Sequence, residues 1–364
     1  MALRIGVVGV GFGAAVHIPA FQSEGLEVVA ICSRRKERAE EAAARFEVSG
    51  VFTDYEAMLA MPGLDAVSIV TPVALHHSMT LQALAAGKHV ICEKPFALNT
   101  GEAQEMYNRA GASGLTAMVA HEFRFSSARM RTKELLDEGY IGKPRMALMK
   151  IVLGGFGRPG TTPPAGPLPY VPERDSAALG AGLLFGLGSH YIDCLRHWFG
   201  EVESVSGELN NFAPDRLDAD KPVKADADDT FLFNLRFRSG VLAQMIGTRM
   251  APFGSGVGVE IYGSEGALVT PQRGVNPPAH GTLLGGRSGE ERLNELPIPE
   301  RLQPFADERD ERLMPFRLLT REFLRGIETK TSPAPNFYDG LRCQQIMDAV
   351  RESAAMGRRV TIAE

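Results

Sequence analysis

Ile5-Gly6-Val7-Val8-Gly9-Val10-Gly11-Phe12-Gly13-Ala14-Ala15 decides the reading of this chain. An apolar run of strand character stops at Gly9, and helical spacing begins just beyond it. The glycines keep the GxGxxA spacing of a phosphate cradle. Gly9 permits the tight turn, Gly11 lets the backbone approach a pyrophosphate, and Ala14 allows close helix-to-strand packing. Phe12 and Gly13 complete the loop, whose amides face an anion at the helix N-terminus. A lone motif of this kind is weak, but its place directly after an N-terminal strand points to dinucleotide binding.

Outward from this loop, short Val/Ile/Ala runs alternate with helical stretches, as in βαβ units around a parallel sheet buried on both faces. The strands expected are Leu3–Val10, Glu27–Cys32, Ala66–Val70, His89–Cys92 and Thr116–Ala120. Helices are expected near Ala14–Ser23, Lys36–Phe46, Ala74–Ala86 and Gly101–Ala112. From Phe125 the rhythm changes to alternating apolar and polar residues in well-separated runs, the mark of an antiparallel sheet with one exposed face. The fold class is therefore α/β, with a doubly wound Rossmann domain over residues 1–124 and a second α/β domain with a large open, mainly antiparallel sheet over 125–364. Two Pro/Gly-rich stretches, Gly154–Pro172 and Pro271–Pro304, are long for loops and read as lids, arms or mobile segments. Helices Glu311–Thr329 and Tyr338–Met356 close the chain.

Composition narrows the function classes. The 364 residues are too many for one ordinary core and fit two domains. Hydrophobic residues at 44%, charged residues at 23% and a mean hydropathy of −0.08 match a compact soluble protein. A net charge of −5 argues against nucleic acid as a partner. Cys32, Cys92, Cys194 and Cys343 are scattered without a CxxC pair, which suits free thiols in a reducing compartment. The N-terminus shows no secretory leader, and no window reaches an uncharged apolar membrane span. No membrane contact and a cytoplasmic location are expected.

The end of the second strand selects the dinucleotide. NAD-binding loops usually place Asp or Glu there to hold the ribose hydroxyls, but this chain has Cys32-Ser33-Arg34-Arg35-Lys36. A hydroxyl and guanidinium groups suit a 2′-phosphate, so Ser33 and Arg34 point to NADP, with NAD as the alternative. Arg34 stacked on adenine is the plainer reading of the same residues.

Two further turns fall at the carboxyl ends of strands, where doubly wound sheets bind ligands. Thr71-Pro72-Val73-Ala74-Leu75-His76-His77 follows Ala66–Val70, and Glu93-Lys94-Pro95 follows His89–Cys92. An ammonium at Lys94 is placed to hydrogen-bond a substrate oxygen and to take or give its proton. A surface lysine paired with Glu93 is the alternative. Adjacent histidines on a helix point about 100° apart and His76-His77 lack partners at ligand spacing, so no metal is expected.

These stretches resemble the glucose–fructose oxidoreductase, inositol dehydrogenase and rhizopine catabolism family, Gfo/Idh/MocA. The matching residues are the glycine loop with His17-Ile18-Pro19-Ala20, Thr71-Pro72 with His76, Ala85–Val90 leading into Glu93-Lys94-Pro95, Phe123-Arg124-Phe125, Gly182–Asp193, and Asp339-Gly340-Leu341 through Val360. The resemblance implies an oxidoreductase that exchanges hydride between nicotinamide and a CH–OH or C=O carbon of a sugar, polyol or related small molecule. It implies cofactor contacts at Thr71, Pro72, His76, Glu93 and Lys94, and substrate contacts at Lys94, Arg124 and His190. His190 is the candidate acid/base, supported by Asp193, with Lys94 as electrostatic partner. It also implies a homodimer or homotetramer through the second sheet.

The chain departs from the family pattern at Gly186, where an Asp is usual, at Val73 and at Glu122. Gly186 keeps open a catalytically silent NADP-binding sensor. A glycosidase using bound NAD as a transient oxidant stays open as well.

Overall fold

The structure is a computed structural model that describes residues 2–154, 167–272 and 281–363. Its contacts divide the chain into two compact units: residues 1–122 with 307–344, and residues 123–306 with 345–364.

The first unit holds six parallel strands, β1 (Arg4–Val8), β2 (Glu27–Cys32), β3 (Gly50–Phe52), β4 (Ala66–Ile69), β5 (His89–Cys92) and β6 (Ala117–Val119). Their order is β3-β2-β1-β4-β5-β6, the doubly wound Rossmann arrangement expected. Ile5, Val7, Val67, Ile69, Val90 and Ile91 are inaccessible, as required of strands covered on both faces. Every strand ends at the same edge, which carries the glycine loop, Thr71 and the Glu93-Lys94 turn.

A boundary drawn from linear order at residue 125 differs from this division. Residues 307–344, assigned by position to the second domain, belong to the first unit, because that is where their apolar side chains are buried. Helix Leu313–Thr329 sets Phe316 4.1 Å from the His17 ring and 5.9 Å from Phe21. The segment after it runs along the otherwise open edge of β6. Thr116 Oγ1 donates to the Thr331 carbonyl, Ala117 N–H to Ser332 Oγ and Val119 N–H to the Pro335 carbonyl, each at 3.0 Å. An edge strand is thereby covered by the chain's own distant segment.

In the second unit the strands are β7 (Pro144–Val152), β8 (Leu168–Pro169), β9 (Val202–Asn210), β10 (Asp215–Asp218), β11 (Lys221–Lys224), β12 (Thr230–Phe237), β13 (Leu242–Thr248), β14 (Gly256–Gly263), β15 (Gly266–Gln272), β16 (Leu284–Arg287), β17 (Asn294–Glu295) and β18 (Val360–Thr361). Nine of them form one open sheet in the order β17-β16-β15-β14-β7-β13-β12-β9-β18, antiparallel except where β13 meets β7. Along β12, Phe231, Phe233, Leu235 and Phe237 are buried while Leu232, Asn234 and Arg236 face outward. That is the expected alternation of a sheet with one covered face. Gly247 lies opposite Phe231, and a Cβ there would sit 2.3 Å from the ring, so the aromatic occupies the place of a side chain.

The expected long stretch Pro271–Pro304 is not a loop throughout, since β16 and β17 extend the sheet within it. Parts of both Pro/Gly-rich stretches, residues 155–166 and 273–280, lie outside the described residues. One segment, Ala177–Phe199, is long and apolar enough to count as a membrane-span candidate, with a mean hydropathy of 1.2. It is largely buried inside the second unit and carries Asp193 and Arg196, as a core helix does.

Candidate active site

In the first unit, the turn at Gly9 has φ +102, and a Cβ there would meet the Val70 carbonyl oxygen at 2.1 Å. Only glycine fits. Above Gly11 the space is open, which leaves the backbone accessible to a pyrophosphate. The close helix-to-strand approach expected of Ala14 is made instead by Gly13, whose Cβ would lie 3.1 Å from Val7 Cγ1, while Ala14 is half-buried. Phe12, also half-buried, lies edge-on to His17 and beneath the Arg312 guanidinium at 5.0 Å.

A cleft of about 270 Å³ opens along this edge. Gly9 and Gly11, Thr71 and Pro72, and Ser33, Arg34, Arg35 and Arg38 all line it. Arg38, in the first turn of helix Lys36–Phe46, escaped the sequence reading. Among the described residues lining the cleft there is no carboxylate. Asp54, nearby in the chain, spends its side chain on the amides of Glu56 and Ala57 at 2.8 and 3.2 Å. Ser33 Oγ accepts from the Arg35 amide at 3.3 Å, so its hydroxyl sits at the start of helix Lys36–Phe46.

The Glu93-Lys94-Pro95 turn is held from two sides. His17 is wholly buried, with Nε2 2.9 Å from Glu93 Oε1 and Nδ1 2.7 Å from Ser68 Oγ. The other oxygen of Glu93 accepts from the Lys94 amide at 3.0 Å. Burial alone would raise the Glu93 carboxyl, but the hydrogen bond and charge of His17, with Lys94 and His76 nearby, hold it below the ordinary carboxylate range. His76, expected to touch cofactor, is wholly buried, and its ring nitrogens lie 2.9 Å from the carbonyls of Pro95 and Thr71. It ties the two loops together. Its pKa is lowered, chiefly by burial. His77 pairs with Glu105 at 2.9 Å. Lys94 itself is half-buried. Glu122, which follows β6 on the same edge, is pushed up to about 8 by burial and by Glu93, against the pull of Lys94 and Arg312.

In the second unit, helix Ser189–Phe199 carries His190 and Asp193, and a π-helical turn, Leu184–Gly188, precedes it. The His190 ring is stacked on Phe123, with centroids 3.7 Å apart and planes within 7°. Asp193 is fully buried and paired with Arg124. Arg124, expected to hold substrate, therefore directs its fork to Asp193, and Asp193 anchors the helix that presents His190. Arg129 lies over the rings of Phe123 and Tyr191 at 5.0 and 4.6 Å. A Cβ at Gly186 would meet nothing within 4 Å, so packing does not force this departure from the family pattern.

The start of this helical segment is held by Asp228, which the sequence did not single out. Its Oδ2 accepts from the Leu184 amide at 2.8 Å, and its carbonyl accepts from the Leu183 amide at 2.9 Å. Burial pushes its carboxyl up to about 6.

A glycine cradle on a doubly wound sheet, joined in one chain to an open-sheet domain, defines a dinucleotide-dependent oxidoreductase. Residues 3–121 match the family model described as "Oxidoreductase family, NAD-binding Rossmann fold", and residues 130–269 match the "GFO/IDH/MocA C-terminal domain". The chain belongs to the GFO/IDH/MocA oxidoreductase family. It is 32% identical over 355 residues to an uncharacterized oxidoreductase of Synechocystis sp., covering 96% of this chain and 94% of the relative. It is 28% identical over 390 residues to levoglucosan dehydrogenase of Pseudarthrobacter phenanthrenivorans, covering 97% and 96%. A solved structure of levoglucosan dehydrogenase in complex with NADH and L-sorbose aligns with a TM-score of 0.86 at 25% identity, over 100% of both chains.

Proposed function

We propose that this protein transfers a hydride between NADP(H) and a CH–OH or C=O carbon of a sugar or polyol, with Lys94 and His190 serving the oxygen's proton. One observation carries the reading: a single cleft lined both by the glycine cradle and by Ser33, Arg34, Arg35 and Arg38. The cradle suits a pyrophosphate, and the guanidiniums suit a 2′-phosphate better than free ribose hydroxyls. The substrate class rests on the relatives, since levoglucosan dehydrogenase is named for a sugar derivative and its structure holds NADH with L-sorbose. That NADH complex makes NAD the competing cofactor.

In this reading the bound nicotinamide supplies or accepts the hydride. Lys94 donates a hydrogen bond to the substrate oxygen and stabilises negative charge on it, while His190 accepts or returns the proton. Fluorescence titration with NADPH and NADH, followed by a scan of sugars, polyols and their keto forms for a change in nicotinamide absorbance, tests it. Tighter NADPH binding, with turnover that vanishes in Lys94→Ala and falls in His190→Ala, is the expected result. Binding without turnover on any substrate would favour the sensor, the reading that Gly186 supports. The outward face of the large sheet exposes Met146, Leu232 and Leu242. Such a face suits a second copy of the chain, and light scattering in solution tests a homo-oligomer.

A further inference from the structure

We propose that Phe123 is a positioning residue that fixes the plane of the His190 ring, and this rests on His190 serving the substrate oxygen. The two rings lie face to face, with centroids 3.7 Å apart and planes within 7°. Aromatic pairs left to themselves prefer an offset or edge-on arrangement, so a near-parallel stack with so short a centroid distance is imposed by what holds the rings. Phe123 and Arg124 are neighbours on one short turn, Glu122–Phe125, and their partners His190 and Asp193 stand three apart on one helix face. Phe123 therefore meets the imidazole while Arg124 pins the same helix one turn further on. Phe123 is also braced against that helix. Its ring stands edge-on to Tyr191 at 5.9 Å, and the Arg129 guanidinium lies over both rings at 5.0 and 4.6 Å. Arg129 in turn sets Nη1 3.7 Å from Cys194 Sγ and Nη2 3.4 Å from Gln272 Oε1.

A stacked imidazole cannot rotate about its Cβ–Cγ bond without leaving the phenyl face. Both ring nitrogens are thereby held in one plane, and proton transfer in a transition state requires such alignment. Without the phenyl ring the imidazole gains torsional freedom and is aligned for a smaller fraction of the time. A phenyl ring exchanges no proton, so what Phe123 contributes to turnover passes through His190.

NMR of ring-labelled histidine on the full chain tests this, with His190→Gln used to identify the His190 signal. In the native chain the Phe123 ring current is expected to move the His190 ring protons upfield, with an Overhauser contact between the two rings. Phe123→Leu is expected to abolish the upfield displacement, and Phe123→Tyr, which keeps the ring, to retain it. On a sugar or polyol that turns over, kcat should fall about tenfold in F123L and recover in F123Y, while KM and dinucleotide affinity stay near native. A His190 signal that is unchanged in F123L, or a kcat that is native there, overturns the proposal. If F123L fails to fold, Phe123→Met fills a similar volume without a ring and reads the same prediction. No turnover on any sugar or polyol, or full turnover in His190→Gln, would sink the acid/base assignment, while the NMR signal would still report the stack.

Discussion

Arg124 and Asp193 meet as a two-pronged ion pair, Nε to Oδ2 and Nη2 to Oδ1 at 2.5 Å each, with both side chains buried. The pair joins the turn after Glu122 to the helix that carries His190, three residues before Asp193. Breaking a buried pair from one side strands a charge, which costs about 3–5 kcal/mol, whereas replacing both partners by apolar groups can be near neutral. Arg124→Ala is expected to lose stability of that order in urea unfolding, and Arg124→Met combined with Asp193→Leu to recover most of it. Equal losses in the single and double variants would show that the pair does not act as a unit.

Two glycines of the cradle should separate folding from binding. Gly9→Ala drives a methyl group into the Val70 carbonyl at a positive φ, so a loss of a few kcal/mol in stability is expected. Gly11→Ala meets no protein atom. Its melting temperature should stay native while dinucleotide affinity falls roughly tenfold or more, about 1.4 kcal/mol. A native affinity in Gly11→Ala would remove the pyrophosphate from that place.

The arginines that line the cleft should discriminate between dinucleotides. Arg34→Ala and Arg38→Ala are each expected to weaken NADPH about tenfold and NADH little, with the NADPH difference shrinking at high salt. Parallel losses for both nucleotides would mean that the guanidiniums stack on adenine instead.

Asp228 gives a pH signature. Its folded pKa lies near 6 and above the ordinary 3.8, so the folded state holds a proton that the unfolded chain releases earlier. Its contribution is fully present below about pH 4, declines as pH rises to 6, and is constant above, a difference on the order of 2–3 kcal/mol. Asp228→Asn should flatten this slope in denaturation series across pH 4 to 7. A slope identical to the parent chain's would place the titration elsewhere.

Much of the fold was legible because its signals are local. The glycine loop, the strand runs of the first unit and the alternation along β12 each sit within a dozen residues and follow one periodicity. Three-residue β3 is too short to show a period. The allegiance of residues 307–344 left no trace because it depends on Phe316 reaching His17 and on main-chain bonds along β6, which pair residues far apart in sequence. At the site, Lys94 and the Thr71-Pro72 turn could be placed from strand ends alone. The uses of Arg124, His76 and Asp228 could not, since a buried polar side chain reveals its partner only once the chain has folded around it. Arg38 had a readable signal in its place in the first turn of the expected helix Lys36–Phe46, just after Arg34 and Arg35.

The covering of His17 and β6 by residues 307–344 also orders events during synthesis. Every side chain that touches the glycine cradle or the Glu93-Lys94 turn from the N-terminal segment emerges early, yet Phe316 and the strap along β6 emerge only after all strands of the second sheet but β18. Until then the first unit has an open sheet edge and an uncovered aromatic cluster. Closing it requires contacts of long sequence separation, which form slowly. The nascent chain therefore passes through a stage in which every residue lining the cleft, from Val8 to Met79, has been made while His17 and the β6 edge still lack their cover.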